Sequence, residues 1–199
     1  MTERPVDLYA EDGRFGAPDG AVVKKQSGIF TPFGIVIILS AVLMIAVVAW
    51  GIYDNSLSQP GEGKAPDFTA PLLGEEGSLS LADYRGQVVV INFWGSWCGP
   101  CRVEAPMLQR TYDAYKDQGV VFIGVDVKDI EQDALDYLAE FNITYPNVMD
   151  IGGKIEDDYR TQGVPETFVV NPDGEIVKFF FAQPREDELR RVIEDALDA

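Results

Sequence analysis

Ile91-Asn92-Phe93-Trp94-Gly95-Ser96-Trp97-Cys98-Gly99-Pro100-Cys101-Arg102-Val103-Glu104-Ala105-Pro106-Met107-Leu108 passes from an apolar segment into a stretch of helical character, with two cysteines at the change-over. The apolar segment, Val88 to Phe93 (VVVINF), is short and rich in β-branched residues, as is Val120 to Val127 (VVFIGVDV) further on. Strands covered on both faces read this way. Between them Pro100 to Gln118 is helical in character, with Val103, Met107 and Tyr115 among its apolar positions. A strand, a helix and a strand imply a right-handed parallel crossover.

The chemistry follows from where the cysteines fall. A spacing of three on a helix puts the sulfurs of Cys98 and Cys101 on one side, within reach of a disulfide. Cys98 stands at the helix N-terminus, where unpaired backbone N–H groups and the helix dipole stabilise a thiolate. A thiol acidified in this way is a nucleophile and a leaving group at neutral pH. Cys101, one turn in, is the less exposed partner and suits resolution of a mixed disulfide. Pro100 lies in the first turn, where its missing N–H costs little. A purely structural bridge is the weaker reading, because so short a loop gives little entropic stabilisation. The chain has 2 cysteines and 0 histidines, which leaves no ligands to complete a metal site and no imidazole for catalysis. Arg102 follows Cys101, which rules out the C-x-x-C-H pattern of haem attachment.

Working outward, Ala134, Leu138 and Phe141, with Leu135 and Tyr137, predict a second helix, and Lys154 to Thr161 a short third. Thr167 to Asn171 and Ile176 to Phe181 flank Pro172-Asp173-Gly174, a turn signal for a β-hairpin. Leu189, Val192, Ile193 and Ala196 are spaced for a last helix, with Glu186, Asp187 and Glu188 in its first turn. The fold class is α/β, a central mixed sheet with helices on both faces.

The cysteine segment closely resembles the active-site segment of the thioredoxin superfamily. More narrowly, it resembles the membrane-tethered TlpA/ResA/CcmG (DsbE) group of bacterial cell-envelope oxidoreductases. The likeness extends through Lys64-Ala65-Pro66-Asp67-Phe68, the run from Leu79 to Gly86, Val164-Pro165-Glu166-Thr167-Phe168 and Asn171-Pro172-Asp173-Gly174. It implies a thioredoxin-like three-layer αβα sandwich and a cis Val164-Pro165 bond beside the cysteines. Asn92 stands where cytoplasmic thioredoxins carry a buried Asp, as is common in the envelope group. The separation of 64 positions from Cys101 to Pro165 resembles that of the group with an inserted strand–helix element.

The same resemblance implicates Glu104 in proton handling; on a helix it shares a face with Cys101. A carboxylate there could take the Cys101 proton as the mixed disulfide resolves. The plain alternative is an exposed helical glutamate, with Arg102 as its ion-pair partner or merely solvated. Glu166 either tunes the field and selects substrates or is a solvated loop acid. Trp97, Gly99 and Pro100 form the contact surface around the first sulfur, and the Val164 backbone can pair with an extended substrate. Phe93 and Trp94 are expected in the core, Pro106 as a helix kink, and Phe179, Phe180 and Phe181 as sheet packing.

Phe33 to Tyr53 (FGIVIILSAVLMIAVVAWGIY) lies in a run without charge and as a helix spans about 31 Å, a bilayer's hydrocarbon thickness. Lys24 and Lys25 precede it and Asp54 follows, which places the N-terminus in the cytoplasm and the bulk outside. The rival is a cleaved signal peptide; its charged region would be unusually long and no clean cleavage site follows, so an uncleaved anchor is the expectation. The organisation expected is a disordered cytoplasmic tail (1–28), a transmembrane helix (29–53), a flexible linker (54–63) and a thioredoxin-like domain (64–199). That domain carries 12 basic and 26 acidic residues, so nucleic acid is not a partner.

The function expected is an extracytoplasmic thiol–disulfide oxidoreductase that reduces protein disulfides without a cofactor. The resemblance implies apocytochrome c or a haem-ligation factor as substrate, in cytochrome c biogenesis, and a DsbD- or CcdA-type membrane protein as electron donor. A general envelope oxidoreductase unconnected with cytochrome c is the nearest alternative. A peroxiredoxin-like peroxidase fits less well. That family has Pro seven residues before its reactive Cys and Thr or Ser three before, where Ile91 and Gly95 stand. A non-enzymatic binding module is disfavoured by the intact cysteine pair.

Overall fold

The structure is a computed structural model and describes residues 32–55 and 61–199. The chain divides into two units, residues 1–54 and 55–199. In the first, α1 (Pro32–Asn55) is one continuous helix of 24 residues, about 36 Å long. Its segment Pro32–Trp50 has mean hydropathy 2.8 and is long and apolar enough to cross a membrane. Residues 1–31 and 56–60, which hold the tail, the first three residues of the expected span and half of the expected linker, lie outside the described residues.

The second unit is built on a six-stranded mixed sheet. Its strands are β1 (Gly63–Lys64), β4 (Val88–Trp94), β5 (Val120–Asp126), β6 (Asn147–Met149), β7 (Glu166–Val170) and β8 (Glu175–Phe180), in the order β1-β8-β7-β4-β5-β6. β4, β5 and β6 run parallel, whereas β7 and β8 are antiparallel neighbours on the other side of β4. All seven residues of β4 are buried, which explains its unbroken apolar run. A separate hairpin, β2 (Thr69–Pro71) with β3 (Ser78–Ser80), leads into a 3-10 turn at Leu81–Tyr84.

The helices are α2 (Gly99–Tyr115), α3 (Glu131–Glu140), α4 (Lys154–Tyr159) and α5 (Glu186–Leu197). The β-strand alternation sorts the core into two layers. Val88, Val90, Phe122 and Val169 pack with Met107, Leu108 and Tyr115 of α2 and Leu189 and Ile193 of α5. Val89, Ile91, Phe93, Ile123 and Phe168 face the other way, onto Ile155 and Tyr159 of α4 and onto Phe68, Leu79 and Leu81. This is the thioredoxin-like αβα sandwich that the sequence predicts.

Four details differ from expectation. Val103 is 67% exposed, because α2 turns that position away from the sheet. Phe181 lies beyond the end of β8 and is exposed, while Phe179 and Phe180 do pack. α1 runs on to Asn55 and β1 begins at Gly63, so the join is shorter at both ends than residues 54–63. The β1 pairing with β8 and the β2–β3 hairpin were not legible, being too short to show a period.

Candidate active site

β4 ends at Trp94, and the chain turns through Gly95, Ser96 and Trp97 before α2 begins. Cys98 is the N-cap of α2, and its sulfur accepts the backbone N–H of Cys101 at 3.1 Å. The Arg102 N–H closes the first turn on the Cys98 carbonyl. Pro100, in the first turn, removes no needed donor. Cys98 and Cys101 form a disulfide with Cα atoms 5.3 Å apart. Both are buried, Cys101 completely. When the bridge opens, the N–H at 3.1 Å and the helix terminus remain to stabilise a thiolate on Cys98.

The Val164–Pro165 bond is cis, and the carbonyl oxygen of Val164 lies 3.5 Å from the Cys98 sulfur. Pro165 is buried and Val164 half-buried, while Gly99, Pro100 and Trp97 are exposed, Trp97 by 58%. Trp97 is held by a hydrogen bond from its indole N–H to the carbonyl of Val127. Gly95 leaves room for that ring: a Cβ there would lie 2.6 Å from Trp97 Nε1, so the position admits no Thr or Ser without displacing the indole.

Glu104 is 1% exposed, one turn beyond Cys101 on the same helix. Its Oε1 accepts from Asn92 Nδ2 at 2.8 Å, and Asn92 Nδ2 also reaches Thr167 Oγ1 at 3.0 Å. Oε2 has no hydrogen-bond partner. Burial pushes the Glu104 carboxyl up to about 7, and the Asn92 hydrogen bond opposes this only in part. The group is therefore poised to exchange a proton near neutrality. It does not pair with Arg102, which instead bridges Glu140 of α3 and lies over the rings of Phe141 and Tyr137 at 5.1 and 5.7 Å.

Glu166 opens β7 and is buried, not a solvated loop acid. Its Oε1 accepts from the Gln162 N–H at 3.1 Å and so closes the loop that carries Pro165.

Sequence reasoning missed three supporting residues. Tyr137 donates to the Cys101 carbonyl at 3.0 Å and stacks on Trp94 with centroids 4.3 Å apart. Asn147 accepts from the Trp94 indole at 2.9 Å. Asp129 accepts from the Ser96 N–H and hydroxyl. Only Asp129 had a usable signal: an acid three residues beyond Asp126, the lone charge closing an apolar strand. No group of metal-ligating side chains occurs among the described residues.

A thioredoxin-like sandwich with a disulfide at the N-terminus of its first core helix defines a dithiol oxidoreductase. Residues 62–179 match the AhpC/TSA family. The chain is also 33% identical over 156 residues to the thiol-disulfide oxidoreductase ResA of Oceanobacillus iheyensis, covering 77% of this chain and 81% of that protein. It resembles the solved thioredoxin domain of a thiol-disulfide oxidoreductase from Bacteroides vulgatus, with TM-score 0.61 and 31% identity over 70% of this chain and 98% of that one. A secreted Mycobacterium tuberculosis disulfide oxidoreductase homologous to E. coli DsbE aligns with TM-score 0.59 and 26% identity, over 64% and 95% of the two chains. The chain belongs to the AhpC/TSA family and, within it, to the ResA/DsbE-type thiol–disulfide oxidoreductases.

Proposed function

We propose that this oxidoreductase is a membrane-anchored reductase of protein disulfides that works outside the cytoplasm, with Cys98 as nucleophile and Cys101 as resolving thiol. The observation that supports it most is the Cys98 sulfur at the N-cap of α2, 3.1 Å from the Cys101 N–H. In the reduced chain, the Cys98 thiolate attacks one sulfur of a substrate disulfide and releases the other as a thiolate. Cys101 then gives its proton to Glu104, attacks the Cys98 sulfur and releases the second substrate thiolate. The substrate leaves as a dithiol, and the chain is left with the Cys98–Cys101 disulfide.

The substrate's extended backbone lies against Val164 and Pro165, beside Trp97, Gly99 and Pro100. Glu166 holds that loop from beneath through Gln162. The α1 span acts as an uncleaved anchor, with residues 1–28 as a cytoplasmic tail and the catalytic domain from about residue 64 outside. The secreted relative and the Lys24-Lys25 flank support that orientation. Reduction outside the cytoplasm needs electrons from across the membrane, which a DsbD- or CcdA-type protein would deliver. Apocytochrome c or a haem-ligation factor is the proposed substrate. The peroxidase reading has no support at Ile91 or at Gly95, where a side chain would strike Trp97.

Trapping tests the proposal. A Cys101→Ala chain expressed in its native membrane should accumulate a mixed disulfide that thiol reductants release and that a Cys98→Ala chain lacks. A c-type apocytochrome in the adduct would support the assigned pathway, and a different protein would overturn that assignment while leaving the chemistry. No adduct at all would contradict Cys98 as nucleophile.

A further inference from the structure

Asp126 ends β5 and is 1% exposed. Its backbone lies opposite Trp94, at the point where β4 gives way to the loop leading to Cys98. Neither of its carboxylate oxygens has a hydrogen-bond partner. An ionised carboxylate so placed would bear its full desolvation cost, so the uncharged acid is the form that fits.

The chain beyond it grips the loop before Cys98 at three points. The Val127 carbonyl accepts from the Trp97 indole at 3.3 Å. Asp129 accepts from the Ser96 N–H at 2.5 Å and from its hydroxyl at 2.9 Å. Between them, Lys128 adopts φ 52°, a left-handed conformation uncommon outside glycine, and pairs with Glu156 at 2.9 Å. Asp129 also accepts from the Ile130 N–H, so its carboxylate is well supplied with donors. A buried acid without a donor therefore lies three residues before the carboxylate that clamps the loop.

We propose that Asp126 is a positioning residue of the dithiol reaction: as an uncharged acid it supports Asp129, the clamp on the loop that presents Cys98, and its ionisation weakens that clamp. Protonated, Asp126 is a donor that Asp129 can accept from. Ionised, it sets a second negative charge against Asp129 inside the protein. Burial first, and Asp129 second, push the Asp126 carboxyl up to about 8. Titratable groups on the surrounding elements are the two cysteines and Glu104 of α2, Glu131, Asp133 and Tyr137 of α3, Asp150 after β6, and Lys128. In the disulfide form Asp129 is the one that acts on Asp126. The inference rests on the dithiol chemistry alone and is independent of partner and direction.

The disulfide form of the full-length chain in detergent micelles is the material for the test, since no thiol titrates in it. The Ser96 amide resonance should shift between pH 6 and 9.5 with a midpoint near 8, and the same midpoint should be missing from Asp126→Asn, whose side chain stays neutral. The rate of reduction by dithiothreitol supplies the functional measure. The wild-type to variant ratio should be constant below pH 7 and fall by about threefold at pH 9, because the ionised pair loosens the loop and repels the incoming thiolate. A Ser96 amide that does not shift, a midpoint that persists in the variant, or a rate ratio independent of pH would each overturn the proposal. If Asp126→Asn does not fold, the wild-type Asp126 carboxyl carbon decides: a midpoint near 8 moving with the Ser96 amide supports the proposal, and one below about 5 ends it. Failure of dithiothreitol to reduce the chain at any pH would instead count against the dithiol chemistry.

Discussion

Glu104 shows how one buried side chain ties chemistry to stability. Its carboxyl titrates at about 7 in the folded chain and near its ordinary value in the unfolded one. Between roughly pH 4.5 and 7 the folded state therefore holds a proton that the unfolded state has released. Stability falls as pH rises through that window and levels off above it, by about 3 kcal/mol for a shift of this size. Glu104→Gln keeps the shape without the titration. Urea unfolding at a series of pH values should show the variant gaining on wild type by that order between pH 5 and 8; parallel curves would mean that Glu104 ionises as freely as a surface glutamate. The same substitution should slow resolution of the mixed disulfide near pH 7 by about tenfold to a hundredfold and leave the first attack by Cys98 little changed, measured by single-turnover kinetics. That Glu104 shares a face with Cys101 was legible from spacing. That it is buried was not, because its partner Asn92 lies on a strand 12 positions earlier and only the packing of α2 on β4 brings the two within 2.8 Å.

At the scale of elements, the site depends on how closely β5 approaches its neighbours. Gly124 sits opposite Asn92 on β4 and Asn147 on β6. A Cβ at Gly124 would lie 1.8 Å from Asn147 Oδ1 and 2.7 Å from Trp94 Nε1, the two atoms that hydrogen-bond each other. Gly124→Ala should therefore cost about 1–3 kcal/mol by overpacking and break that bond. The loss is readable in thermal unfolding and in the indole N–H resonance of Trp94; an unchanged resonance and unfolding temperature would show that the strands can spread. β4, β5, α2 and α5 were legible because each carries a long, regular pattern. The inserted β6 was visible only as added length between Cys101 and Pro165. Its three residues and the two residue pairs β1 makes with β8 are held by tertiary packing rather than by local preference. Val103 misled because an apolar residue on a helix is expected to face the core, although proteins expose many such residues singly. Next to the cysteines, an exposed Val103 and Trp97 suit contact with a protein substrate.

At the scale of the whole molecule, the proposed function gives the apolar helix and the redox unit separate tasks. Deleting residues 1–55 should move the protein from the membrane to the soluble fraction of a cell lysate and leave its rate of reduction by dithiothreitol within about twofold of the full chain. A truncated chain that still sediments with membranes would show that α1 is not the anchor, and a large loss of rate would show that the second unit does not act alone. The acidity of residues 64–199, 26 acidic against 12 basic residues, favours substrates with basic surfaces through long-range attraction that salt weakens. The account as a whole rests on Cys98 reacting as a thiolate. The direct measurement is the pH dependence of iodoacetamide alkylation of the full-length chain carrying Cys101→Ala, in which Cys98 is the sole thiol. The midpoint for Cys98 should fall clearly below the value of about 8.5 for an unperturbed cysteine. A midpoint at or above that value would contradict the claim that the start of α2 activates this sulfur.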